Sequence, residues 1–393
     1  MATLILPVTA KTAAPCPAFG DCGGCALQDV AYDAQLQMKR AGLQAALQGF
    51  GVTVPPIIPA EEPWRYRGKA ELTFSEQEGR LLLGFHAARS FARIVDLPDC
   101  LLLPETANRV VVSLRELAAA TGLPAYHPRT RQGVWRHAVV RESRATGQVV
   151  VVLVTTTTLR APLAALAEAL SRRHPEVAGV CWGIGDAAAD AVLPERLDTL
   201  AGVPELEERV GAFRLRVPPL GFVQASIEQA ERIYAAVAEG AAGAAAAWDL
   251  YCGLGAVSLY LSGVVQRVYG VEVSEEQVAR AREHAHAHGI ANAEFHLGPA
   301  EDVLADRRFW MATRPDVVVV DPPRVGLHPR ALAGVLAARP RRLAYVSCNP
   351  AALARDAQLL ANGYPAYRLA SVAGYDMFPQ TRHLEALAWF ERD

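Results

Sequence analysis

From about residue 225 to the end of this 393-residue chain, strand-like and helix-like segments alternate without interruption, and few folds accommodate that pattern. The strand candidates are AAAAWDLY, RVYGVEV, AEFHLG, DVVVVDPP, RRLAYVSC, YRLASVAGYDM and EALAWFER. SIEQAERIYAAVAEGA precedes the first, and VSLYLSG, SEEQVARAREHAHAHG, HPRALAGVLAARP and NPAALARDAQLLANG separate most of the others. Repeated βα units close as a parallel, doubly wound sheet, because the right-handed crossover lays each helix on a sheet face. Ligands of such sheets sit beyond the C-terminal ends of the strands. Those strand ends are therefore where chemistry is to be sought.

The preceding half has a different rhythm. YDAQLQMKRAGLQAALQGFG reads as an amphipathic helix closed by Gly51, and the Pro-rich VPPIIPAEEPW follows. From Trp64 to Cys100 β-formers alternate with polar residues around turn signals. Residues 104–122 read as a helix, VWRHAVVRES and GQVVVVLVTTTT as strands, APLAALAEALSRRHPEV as a helix, and ERVGAFRLRVPPLGF as strands. The length exceeds one ordinary hydrophobic core. The expected fold is α/β, divided into an N-terminal cysteine segment (1–53), a β-rich α+β central domain (54–217) and a C-terminal Rossmann-like domain (218–393).

No apolar run is long enough to span a membrane, and the N-terminus has no leader pattern, so a cytoplasmic protein is expected. Net charge is −2, which gives no global sign of a polyanionic partner. The cations are nearly all Arg; the lysines are Lys11, Lys39 and Lys69. Locally, Arg129, Arg131, Arg136, Arg141 and Arg144 are opposed only by Glu142, which suits either a phosphate-facing patch or a solvated face.

At the strand ends, Asp249-Leu-Tyr-Cys-Gly-Leu-Gly255 supplies two glycines for a tight turn and close approach to a ligand. Glu272 ends the next strand, where an acid commonly takes ribose hydroxyls. Ser258 stands where a dinucleotide fingerprint wants Gly or Ala, and the loop by itself leaves NAD and S-adenosylmethionine both open. Asp321-Pro-Pro-Arg324 ends a later strand, with prolines that fix an extended exit. Val346-Ser-Cys348-Asn-Pro350 leads into a helix, whose dipole is expected to lower the Cys348 pKa. His383 and Glu385 precede the final strand. Cys181 and Cys252 read as apolar filler.

GFVQAS (221–226), DLYCGLG (249–255), VYGVEVS (268–274), DPPRVG (321–326), YVSCNP (345–350) and DMFPQTRHLE (376–385) occur in the order found in RNA uracil-C5 methyltransferases, and the chain resembles that family. WRYRGKAELTF, GFHAARSFARIVDLPDC and WRHAVVRES extend the resemblance over nearly the whole chain. The family modifies uridines in 23S ribosomal RNA and in tRNA. The resemblance implies Cys348 as nucleophile and Glu385 as base, with Gln224, Tyr251, Glu272 and Asp321 lining an S-adenosylmethionine site. Ala256, Ser226 and Val325 depart from residues common in the family, namely Asn, Asn and Arg.

Cys16, Cys22, Cys25 and the distant Cys100 offer four thiols. Their types and spacing suit structural zinc as well as iron–sulfur. The resemblance favours a [4Fe–4S] cluster, as in the ribosomal-RNA members, with 23S rRNA as substrate and no obligate protein partner. With 15 residues before Cys16, an N-terminal RNA-binding barrel is not expected. Alternatives are a tRNA uridine-54 enzyme of the same chemistry, a non-catalytic iron–sulfur RNA-binding protein, and an NAD-linked oxidoreductase.

Overall fold

The computed structural model describes residues 11–157, 160–185, 194 and 196–392. After helix α1 (Tyr32–Ala46) the chain forms strands β1 (Lys69–Gln77), β2 (Arg80–Ala87) and β3 (Ser90–Asp96) and helix α2 (Glu105–Ala120). Strands β4 (Trp135–Glu142) and β5 (Val149–Thr155), helix α3 (Arg160–Arg173), and strands β6 (Val177–Ile184) and β7 (Leu197–Gly202) complete a seven-stranded sheet. Its order is β3-β2-β1-β4-β5-β6-β7. Only β5 and β6 pair in parallel, through the α3 crossover, and the other pairs are antiparallel.

All seven residues of β5 are buried. Val149, Val151 and Leu153 join the core under α2 and α3, while Val152 and Val154 pack on the opposite face with Val139 and Cys181. A strand covered on both faces needs a continuous apolar run, and VVVVLVT supplies one. Cys181 is filler, as expected.

A ribbon of β8 (Leu206–Val210) and β9 (Phe213–Val217) leads to the second half. There follow α4 (Ile227–Ala241), β10 (Ala246–Leu250), α5 (Ala256–Ser262), β11 (Arg267–Glu272), α6 (Glu275–Ala287) and β12 (Ala293–Leu297). Next come α7 (Ala300–Val303), α8 (Arg307–Thr313), β13 (Val317–Val320), α9 (Pro329–Ala338), β14 (Arg342–Ser347) and α10 (Pro350–Ala361). The last strands are β15 (Tyr367–Tyr375) and β16 (Glu385–Arg392). The sheet order is β12-β11-β10-β13-β14-β16-β15.

Side chains alternate between two cores. Ala247, Val317, Val319, Ala344 and Val346 face the core that α4, α5 and α6 cover. Trp248, Val318, Val320, Leu343 and Tyr345 face the core under α1, α9 and α10. This is the doubly wound, Rossmann-like sheet expected.

The structure corrects four expectations. The sheet is not parallel throughout: β16 runs antiparallel to β14 and to β15, because a loop and not a helix joins β15 to β16. Helices α7 and α8 and strands β6 and β7 were not anticipated; each is short or lacks a clean period. Val54 and Ile57, with Leu43 and Leu47 of α1, pack into the second core, and Ile58 bridges to Tyr375. Residues 206–217 likewise carry Leu206, Val210, Leu215 and Val217 to the second half. Finally, Arg136 and Arg141 are not solvated: β4 is a central strand and both are buried, with Arg136 Nη1 donating to Gly185 O at 2.6 Å and Arg141 donating to Gly221 O.

Candidate active site

The rim at the C-terminal ends of β10, β11, β13 and β14 gathers most of the expected side chains. Beyond β10, Tyr251 takes a left-handed φ of 66°, and Gly255 caps α5 at φ 84°. A Cβ at Gly255 would stand 3.0 Å from Ala281 Cβ and 3.2 Å from the Phe295 ring, so space as well as φ demands glycine. Glu272 turns back on this loop. Its Oε2 accepts from Gly253 N at 3.1 Å and its Oε1 from Ser274 N at 2.9 Å. Cys252 is buried beneath, against the position a Cβ of Gly270 would take.

Asp249 carries a signal the sequence reasoning missed. It is buried in β10, burial pushes its carboxyl up to about 7, and Ser258 Oγ donates to Oδ2 at 2.6 Å. The serine that departs from a dinucleotide fingerprint is thus the partner of a buried acid. An acid inside an apolar strand was the available clue.

Cys348 follows β14, and Asn349 caps α10 through Oδ1, which accepts from Ala351 N at 3.1 Å. The β14–β16 register pairs Ser347 with Ala386. The next residues outward, Cys348 and Glu385, therefore stand side by side at the rim. Only an antiparallel β16 could present its first residue there.

The expected lowering of the Cys348 pKa is overturned. Burial, then the neighbouring Glu385, push the thiol up to about 11, against the opposing pull of Arg324. Helix dipole effects amount to about 1 kcal/mol, too little against burial beside two carboxyl groups. Glu385 is 2% exposed, and its Oε1 has no hydrogen-bond partner among the described residues. Burial and then Asp321 hold its carboxyl well above the usual range. Asp321 is raised to about 7 by burial, offset in part by Gln224 Nε2, which donates to Oδ2 at 3.1 Å. Asn349 Nδ2 donates to Arg324 O at 2.9 Å, and the Arg324 guanidinium lies 3.4 Å from His383 Nδ1.

Cys348, Gln224, Arg324 and His383 open onto a cleft of about 1160 Å³ between the two sheets. Tyr251 lies apart from this group; its electrostatic neighbours are Glu301 and Asp356. Arg65, Arg67, Lys69, Arg89 and Arg144 line the cleft, with the buried Arg141 behind, against Glu71, Glu142 and Glu208. Arg67, Arg89 and Arg144 make no ion pair among the described residues. A chain of net charge −2 thus concentrates positive charge around the half-buried Cys348. Phe91 and Phe222, 88% and 62% exposed, project into the same space.

Cys16, Cys22, Cys25 and Cys100 line one small pocket beside this cleft, and none forms a disulfide. Burial pushes the Cys25 thiol up to about 12, with Cys100, Cys22 and Cys16 adding to the effect. Among the described residues no group of three His, Cys, Asp or Glu side chains is arranged to hold a metal ion. No described helix is long and apolar enough to cross a membrane.

A Rossmann-like sheet with this strand order, a glycine loop after its first strand and an acid after its second define the class of S-adenosylmethionine-dependent methyltransferases. The family model of tRNA (uracil-5-)-methyltransferases matches residues 209–393. An uncharacterized RNA methyltransferase of Halalkalibacterium halodurans is 36% identical, covering 97% of this chain and 84% of its own length. One from Caldanaerobacter subterraneus is 33% identical, covering 96% and 84%. The crystal structure of Pyrococcus abyssi tRNA (uracil-54, C5)-methyltransferase in complex with S-adenosyl-L-homocysteine matches with a TM-score of 0.75 at 26% identity, over 94% of this chain and 86% of that one. The chain belongs to the RNA uracil-5-methyltransferase family.

Proposed function

We propose that this enzyme methylates carbon 5 of a uridine in 23S ribosomal RNA, with Cys348 as covalent nucleophile and Glu385 as base. The observation that carries this reading is the Cys348–Glu385 pair at the sheet's rim: a half-exposed thiol beside a buried carboxyl with one oxygen unpartnered among the described residues. Carbon 5 of uracil is a poor nucleophile until a group adds at carbon 6. Cys348 Sγ bonds to carbon 6 as its proton passes to solvent in the cleft, and the ring electrons move onto the carbonyl oxygen as an enolate. Arg324, the cation beside it, favours the thiolate. S-adenosylmethionine supplies an electrophilic methyl group. Carbon 5 of the enolate takes that methyl and then bears both methyl and proton. Glu385, in its ionised form, removes the proton, the 5,6 double bond re-forms and the carbon–sulfur bond breaks.

For the cofactor, Glu272 beside the glycine loop suits the ribose, and Gln224, Tyr251 and Asp321 complete the proposed contacts. The 1–53, 54–217 and 218–393 division is retained as a functional one, with the central part gripping RNA. The cations of the cleft suit phosphates, and the exposed Phe91 and Phe222 suit unstacked bases. The target base must leave its stack to meet Cys348. A cytoplasmic location fits such a substrate.

The four clustered thiols support a [4Fe–4S] group held by Cys16, Cys22, Cys25 and Cys100. They share one pocket, and the family resemblance favours the cluster over structural zinc, which the same four thiols would also suit. No step of methyl transfer is assigned to this group. Stoichiometric zinc and no iron in protein prepared without oxygen would refute the assignment.

A second reading, tRNA uridine-54 as the target, is favoured by the Pyrococcus structure's substrate. Mapping 5-methyluridine in 23S rRNA and tRNA from a deletion strain separates the two. The mechanism is tested by Cys348→Ala, which should lower turnover by more than about 10³-fold while cofactor binding persists. Full activity in that variant would eliminate the mechanism.

A further inference from the structure

We propose that the N-terminal segment is a positioning device for the catalytic loop, with Gln35 as its central residue and Lys39 and Tyr32 as supports. This rests on the reading of Glu385 as the base. Residues 376–384 join β15 to β16 and deliver Glu385 to the rim, and Thr381 and His383 of this loop line the cleft.

The loop's polar anchors come from the far end of the chain. Gln380, a buried non-glycine residue, sits at a left-handed φ of 66°. Its N–H donates to Gln35 Oε1 at 3.1 Å, and its Oε1 accepts from Gln35 Nε2 at 2.9 Å. Its carbonyl accepts from Ala26 N and Leu27 N, both at 3.0 Å. Gln35 Nε2 also reaches Leu27 O at 3.0 Å and Val30 O at 2.9 Å.

A second anchor lies at the loop's start. The Lys39 ammonium pairs with Asp376 and donates to Phe378 O at 3.0 Å, with both charged groups buried. Tyr32 Oη donates to Asp376 Oδ2 at 2.8 Å while accepting from Ala60 N at 2.9 Å.

Apolar side chains would tie these elements together at least as strongly, because a buried ion pair contributes little net stability. What a saturated polar network adds is a single geometry. A strained φ persists only where the surroundings over-determine it. Here they fix the backbone that aims Glu385 at carbon 5. Ala26 and Leu27 directly follow Cys25, so the cysteine segment and the catalytic loop are one hydrogen-bonded unit.

The test uses the full chain, tritiated S-adenosylmethionine and RNA transcripts, with Gln35→Met, Tyr32→Phe and Glu385→Gln compared with the wild type. Gln35→Met should lower kcat about tenfold, as expected for a displacement below 1 Å. KM for RNA and cofactor affinity should be unchanged. A protein–RNA adduct surviving denaturing electrophoresis should build up, because proton removal from carbon 5 is slowed. Tyr32→Phe, which conserves the ring and so the fold, should shift both readouts the same way by less. Variants that lose only folded protein, with wild-type kcat and adduct per folded molecule, would overturn the proposal, as would a change in KM alone. If Glu385→Gln accumulates adduct and the other two do not, the positioning role alone fails. If Glu385→Gln accumulates none, the assignment of the base fails and this inference with it.

Discussion

Glu272 and Glu385 occupy two ends of one rim and show how differently the same side chain can be housed. Glu272 closes β11 with both oxygens engaged by backbone N–H groups of adjacent loops. Glu385 opens β16 with one oxygen unpartnered and a like charge, Asp321, nearby. The first arrangement fixes where the carboxylate sits. The second makes charge costly, and it suits the proposed base once its proton has been released. Stability has been given up at one site and kept at the other.

The comparison is broken most severely by Glu385→Gln, which should lower turnover about 10²–10⁴-fold. A covalent adduct should accumulate while cofactor affinity is retained; single-turnover assays and denaturing gels read both. Glu272→Gln should do the reverse, weakening cofactor binding about tenfold by titration calorimetry with no adduct, because one charge-assisted bond is lost.

Ser258→Ala tests a third acid between them. It removes the hydroxyl that donates to Asp249 and should cost about 1–3 kcal/mol in chemical denaturation. The smallest effect expected is on the pH dependence of Tm. The raised Glu385 carboxyl favours the folded protein while it is protonated, fully so below the ordinary carboxylate range. That advantage is lost as pH rises through the raised value. The Tm of Glu385→Gln relative to wild type should therefore climb by a few degrees between about pH 5 and pH 8. A flat difference would show that Glu385 is not held neutral.

The alternation of period-two and period-3.6 segments made the second sheet legible, and strand-end logic led to Cys348 and Asp321. What stayed hidden depends on tertiary placement. Nothing in YRLASVAGYDM says that the next strand returns antiparallel, yet that return sets Glu385 beside Cys348. The helix dipole at Cys348 was visible, but the burial and paired carboxyls that outweigh it were not. Arg136 and Arg141 look like surface cations until β4 proves central. Asp249 shows its role only once Ser258 lies over it.

The scarcity of lysine has a practical consequence. Of the three, Lys39 is sealed in its ion pair, Lys11 is exposed near the N-terminus, and Lys69 lies in the cleft. An amine-directed reagent therefore meets a single internal reporter in the groove. Protection of Lys69 by bound RNA, read as one peptide mass with Lys11 as the built-in control, would footprint the substrate without any engineered label.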